Sequence, residues 1–324
     1  MMPNRLIRRR QRGLTLVELL VSIVLMLLVS IATVALFSVS SSTYKTVDAG
    51  QELQDNARFA MHIISEAARS AGFQDRTGPV QLGNPNLTDV VFGPTTVATW
   101  RVQGANNGVI NTLTDLKKVA PEDASTAFST SGVYQKSDAL VLRFFGASDT
   151  VTPANPDNTM RDCSGRPIPY PTANWDVGIS AFHVKTVNGE PELICVSYNP
   201  VGGTVSSTQI IRGVETFQVM YGVDTDGDDV PDRWLSANSA WNGFGASPNW
   251  NNVVAIRVGL VLRGPIGSGQ GQSTTPSEND LYPLGKDFTG SSTEDGLKFT
   301  PTNANDGRLR RAFSATFMLR NSVR

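Results

Sequence analysis

The chain opens on a polar, arginine-bearing stretch and then turns apolar from Leu14 to Phe37, relieved only by Thr15, Glu18, Ser22, Ser30 and Thr33. A run of about 24 residues at ~1.5 Å per residue reaches across the ~30 Å hydrocarbon layer of a bilayer. Beyond it the pattern changes without a clear break. From Val47 to Phe73, apolar residues recur at Leu53, Ala57, Ala60, Ile64, Ala67 and Ala71, spaced three or four apart. That spacing predicts an amphipathic helix with one face against a core. Asp48 is a candidate N-cap and Gly72 a candidate C-terminal stop. The prediction is one long helix from about Leu14 to Ala71, roughly 85 Å in length, with a candidate interruption near Gly50.

The pattern after residue 73 is different. Residues 73–135 are rich in Gly, Pro, Asn and Thr, with short strands expected at Val90–Phe92 and Val97–Val102. Period-two alternation then takes over. Strands are predicted at 138–146, 179–187, 192–199, 214–223, 253–263 and 311–320, and Asn188-Gly189 marks a tight hairpin turn. One face of the fourth carries Phe217, Val219, Tyr221 and Val223. The fifth places Val254, Ile256, Val258, Leu260 and Leu262 together, and the sixth Phe313, Ala315, Phe317 and Leu319. Residues 264–308, rich in Gly, Ser, Thr and Asn, read as a long surface excursion. The fold class is α+β: a long N-terminal helix, membrane-spanning in its first half, packed on a mainly antiparallel β-sheet head. The divisions are 1–13, a basic leader; 14–37, the transmembrane helix; 38–72, its amphipathic continuation; and 73–324, the head.

Charge sharpens this picture. The formal net charge is −1, but Arg5, Arg8, Arg9, Arg10 and Arg12 all precede the apolar run, and the remainder holds 23 basic and 29 acidic residues. An acidic body argues against a nucleic-acid partner. A basic cluster before the apolar run orients it with its N-terminus in the cytoplasm. The run is longer than the 7–15 residues of a cleaved secretory signal, and no small-residue cleavage site follows it, so it reads as an anchor. The two cysteines, Cys163 and Cys195, predict a single disulfide if the body is exported; two buried thiols are the alternative.

Gly13, then Leu14-Thr15-Leu16-Val17-Glu18 and Leu19-Leu20-Val21-Ser22-Ile23, resembles the type III signal of type IV pilins and pseudopilins. That resemblance implies that prepilin peptidase cuts after Gly13 and methylates the new amine on Leu14, where the family usually has Phe. Glu18 is then the fifth residue of the mature chain, placed to face an ammonium group on a neighbouring subunit. Further along, "GVETFQVMYGVDTDGDDVPDRW", "NVVAIRVGLVLRG", "RAFSATFMLRN" and the "DCSG" at 162–165 resemble the PilW family of minor pilins. This implies a non-catalytic minor pilin of the inner membrane that joins other minor pilins and the major pilin to start or cap the filament, with a PilY-type tip protein as a further partner. A GspJ-type pseudopilin of type II secretion is similar, and a membrane-anchored calcium-dependent adhesin is the alternative from another class.

Between two of those strands, "DTDGDDVPD" places Asp224, Asp226, Asp228 and Asp232 at positions one, three, five and nine of a calcium-type loop, with the Val230 carbonyl at seven. Asp229 stands where such a loop has its turn glycine, and Leu235 where it has a bidentate Glu. Weak or moderate Ca2+ binding is one expectation and a solvated acidic hairpin the other. An enzyme reading finds little: His62 falls on the helix, His183 reads as a strand surface residue, and "GSGQG" at 267–271 lacks the flanks of a phosphate loop. Trp234, Trp241 and Trp250, with Phe244, read as a cover for the sheet edge or a contact surface for a partner.

Overall fold

The computed structural model describes residues 15–74, 101–110, 128–129, 131–147, 155–171, 177–200, 203–237, 250–269, 280–288, 298–302 and 306–321. The chain forms two compact units, Met1–Asp48 and Ala49–Arg324. Helix α1, Leu16–Ser70, runs without interruption from one into the other. Thr15 caps it, its Oγ1 accepting from the Glu18 N–H at 3.3 Å. Asp48 lies inside the helix, so it is no cap, and Gly50 does not break the helix. Gly50 has another use: a Cβ there would sit 3.4 Å from the Arg311 guanidinium, so the missing side chain makes room for that arginine. Gly72, at φ 74°, ends the helix.

Within the first unit the described side chains from Thr15 to Ser40 are exposed all round the helix. The segment is long and apolar enough to cross a membrane. The second unit buries a different stripe: Ala49, Leu53, Ala57, Ala60, Ile64, Ala67, Ala68 and Ala71. Every one of the spaced apolar residues read from sequence falls in that stripe, and its alanines let the helix backbone approach the sheets closely.

Two antiparallel sheets share this core. The first is ordered β1-β2-β3-β4-β5, from Val102–Ala105, Ala139–Phe144, Gly178–Val187, Glu190–Asn199 and Thr204–Arg212. The second is ordered β7-β6-β8-β9, from Arg233–Leu235, Val214–Val223, Val253–Arg263 and Arg310–Met318. Alternation sends Leu140, Leu142, Phe182, Val184, Leu193 and Cys195 of the first sheet to the core. From the second come Phe217, Val219, Tyr221, Val223, Ile256, Val258, Leu260 and Leu262. Asn188 and Gly189, both at positive φ, close the β3–β4 hairpin as its sequence predicts. Gly213, at φ 73°, joins the sheets: its N–H donates to the Pro191 carbonyl and its carbonyl accepts from the Arg263 N–H.

Several expectations change. A register shift between Gly222 and Val223 puts Val253, rather than Val254, in the shared core. Strand β5 is not anticipated by the alternation because Ser206–Gln209 are polar on both faces and its apolar Ile210 and Ile211 are adjacent, with only Ile211 buried. The expected strand at Val90–Phe92 and residues 97–100 of that at 97–102 lie outside the described residues; β1 begins at Val102. His183 is 1% exposed rather than on the surface. It belongs to the outer face of the first sheet, with Ala181, Ile194 and Val196, and burial with the nearby Lys185 charge lowers its pKa to about 4. Trp250 is buried edge-on to Tyr221, ring centroids 4.9 Å apart, so it is core and not a surface contact. Trp241 and Phe244 lie outside the described residues.

The described parts of 264–308 are more than a surface excursion. Leu281 bridges to Phe299, and Leu284 is buried against Met220 on the outer face of the second sheet. The backbone of Pro283 passes so close to β8 that a Cβ on Gly259 would meet its carbonyl oxygen well inside van der Waals distance. We therefore expect Gly259→Ala to lower stability by about 1–3 kcal/mol, read as a fall in the thermal unfolding midpoint; an unchanged midpoint would show that this segment is not packed on β8.

Candidate functional site

The N-terminal segment supplies the first candidate feature. Glu18 sits in the first turn of α1, three residues after the cap, and its carbonyl accepts from the Ser22 hydroxyl at 2.7 Å. A carboxylate in the first turn of a helix is favoured by the backbone dipole. The remaining hydroxyls of the apolar run are turned back on the helix: Ser30 Oγ donates to the Met26 carbonyl and Thr33 Oγ1 to that of Val29, both at 2.8 Å. This removes their polar demand from the helix surface and leaves Glu18 as the one ionisable side chain of the described stretch from Thr15 to Phe37. Gly13 and Leu14 lie outside the described residues.

Cys163 and Cys195 form a disulfide, Cα atoms 6.0 Å apart. Cys195 points into the shared core from β4, and Cys163 lies in a turn built around the buried Asp162. Asp162 Oδ1 accepts from the Ser164 N–H, the Ser164 hydroxyl and the Arg166 N–H, and Oδ2 from Arg166 Nε at 3.3 Å. Gly165, at φ 83°, lets the turn close. "DCSG" is thus a bonded turn fastened to the sheet. The separation of 32 residues corresponds to about 3–4 kcal/mol in the chain-entropy account of cross-links.

The aspartate loop connects β6 to β7. Carboxylate oxygens of Asp224, Asp226 and Asp232 lie within 4.8 Å of one another. Asp224 is buried at the end of β6 and organises the loop: its Oδ1 accepts from the N–H groups of Asp226 and Gly227, and its Oδ2 from that of Asp229 at 2.6 Å. Asp232 Oδ2 accepts from both the hydroxyl and the N–H of Thr225 at 2.7 Å, and these bonds hold its carboxyl below the usual carboxylate range. Asp229 adopts φ 64°, the left-handed conformation that the glycine at its position would supply, and Gly227 is also at positive φ. Asp228 is outside the convergent group, with its Oδ1 taken up by the Val230 N–H at 2.8 Å. Three of the four spaced carboxylates therefore converge, those of Asp224, Asp226 and Asp232.

Sequence reasoning missed a charged cluster where the two sheets meet. Arg263 pairs with Glu190 at 2.9 Å and with Glu215 at 3.2 Å, and Arg310 with Glu215 at 3.3 Å and Asp306 at 2.6 Å. Burial opposes the charge on Arg263, but its hydrogen bond to Glu190 and the Glu215 charge outweigh it and raise its pKa. Glu190, directly after the Asn-Gly turn, and Arg263, at the end of β8, were the available signals.

Residues 8–34 match the prokaryotic N-terminal methylation motif, a span that contains Gly13, Leu14 and Glu18. Residues 181–321, from β3 to the end of the second sheet, match the family described as Type IV Pilus-assembly protein W. Among solved structures, a type IV-like pilin from Thermus thermophilus is similar over 84% of this chain and 100% of its own, at 13% identity and a TM-score of 0.40. No curated protein matches. A methylation-motif helix leading into an antiparallel head defines a membrane-anchored protein of the type IV pilin class, processed by prepilin peptidase and associated with other pilins. Within that class the chain is similar to the PilW minor pilins of the type IV pilus over residues 181–321, a little under half of its length.

Proposed function

We propose that this minor pilin initiates or caps the filament. It crosses the inner membrane once, with its basic leader in the cytoplasm and its head in the periplasm. After cleavage following Gly13 it joins other minor pilins ahead of the major pilin, and a PilY-type tip protein is a further partner of that assembly. Its role is structural, not catalytic. The reading rests on one observation above all: an apolar helix surface bearing a single carboxylate in its first turn. A charge costs roughly 2.5–3.5 kcal/mol at the centre of a lipid-facing helix and less at the first turn, and a neighbour's terminal ammonium offsets what remains only in the bundled state. The expected outcome for Glu18→Ala is normal leader cleavage and membrane insertion, with incorporation into sheared pili reduced by about tenfold or more. Incorporation equal to wild type would contradict the pairing.

The aspartate loop takes Ca2+ in this proposal, held by Asp224, Asp226 and Asp232. The convergence of their oxygens and the left-handed Asp229 support it. The ion relieves repulsion among the carboxylates and ties β6 to β7. Because the ligands must be ionised, binding weakens as pH falls through the carboxylate range, and the Thr225 hydrogen bonds keep Asp232 ionised to a lower pH than an ordinary carboxylate. Calorimetry with millimolar Ca2+ should give a binding heat that is lost in Asp226→Ala; no heat with the wild-type protein would overturn the assignment.

A further inference from the structure

Among the described residues of the second unit, Ile266 is the most exposed large apolar side chain, at 75%. It stands on a stiff support. The Ser268 N–H donates to the Pro265 carbonyl, with Ile266 and Gly267 (φ 81°) at the corners of the turn. The Ser268 hydroxyl donates to the same carbonyl at 2.6 Å and accepts from the Leu309 N–H, while Arg308 Nη1 donates to the Gly264 carbonyl. A rigidly held apolar tip loses little freedom on binding. Pro265 also lines a cleft of about 280 Å³ between α1 and the sheet ends, with Glu52 and Asn56 on the helix and Glu190, Arg212, Arg263 and Arg308 opposite. Arg263, Glu190 and Arg308 are held in internal pairs. Glu52 is exposed on one wall, and Arg212, paired with Glu192 at 3.2 Å through Nε but with its side chain 71% exposed, extends from the other.

We propose that the Ile266 turn and this cleft form one contact surface for the head of a second pilin-class subunit. Apolar side chains of the neighbour close over Ile266, and a polar segment enters the cleft, donating to Glu52 and accepting from Arg212. Two observations commit the surface to that occupant. The turn packs where the chain enters the head, since a Cβ on Gly264 would lie 3.5 Å from that of Ala49. A subunit bundled on the preceding helix is therefore tethered within a few residues of this surface, at a high effective concentration. The cleft also presents both signs of charge around an apolar tip, which suits a protein surface and not a polyanion. The inference rests on the assembly reading above.

The test uses the full chain in cells that make pili. With p-benzoylphenylalanine at position 266, irradiation should give a crosslink to a chain that mass spectrometry identifies as another pilin with a methylation motif. Ile266→Asp should reduce recovery of that pilin on the tagged protein about tenfold, with leader cleavage unchanged. Crosslinks only to lipid, to a second copy of this chain or to a protein without the motif overturn the proposal. So does unchanged recovery with Ile266→Asp when Glu18→Ala abolishes it, an outcome that leaves the assembly reading intact. Recovery unchanged in both variants overturns both.

Discussion

One helix must satisfy two solvents. From Ala49 onward, α1 buries a stripe of alanines with Leu53 and Ile64 beneath two sheets, and that stripe is part of the head's core. Before that point the same helix is apolar all round and its described side chains to Ser40 are exposed. A surface of that size has no stable place in water, since apolar burial is worth roughly 25 cal/mol per Å². It must lie in lipid or against other helices. The same helix passes through Gly50 without interruption.

The second constraint is the shared core itself. Both sheets present alternating faces to the helix, and the switch between them falls at Gly213. The disulfide fastens the 160–168 turn to β4, and the Glu190–Arg263–Glu215–Arg310 cluster fastens the ends of β4, β6, β8 and β9. Charges are used here to fix geometry, because buried pairs contribute little net stability against apolar alternatives. The surfaces left outward, the aspartate loop and the Ile266 turn, are therefore held on a rigid frame.

Much of this was legible in the sequence where a single period ran long enough. The 3.6-residue spacing from Leu53 to Ala71 and the alternation in β6, β8 and β9 identified their core faces, and the register error at Val254 came from a bulge that alternation does not show. Strand β5 stayed hidden because an edge strand whose middle is polar on both faces has no period in hydropathy. His183 was misplaced because alternation along one strand does not show whether both faces of its sheet are covered. For the aspartate loop, the spacing marked the loop, but which carboxylates converge depended on side-chain directions it does not show: Asp228 turned to its own backbone, and Asp229 supplied the left-handed turn.

The central claim is that the apolar half of α1 is a processed pilin helix, and not a plain membrane anchor with a stray carboxylate. The most direct test is the mature N-terminus of the protein purified from its own membrane, read by intact mass and tandem mass spectrometry. The account predicts a chain that begins at Leu14 with a methylated α-amine. A chain that retains residues 1–13, or that begins beyond Phe37, would contradict it.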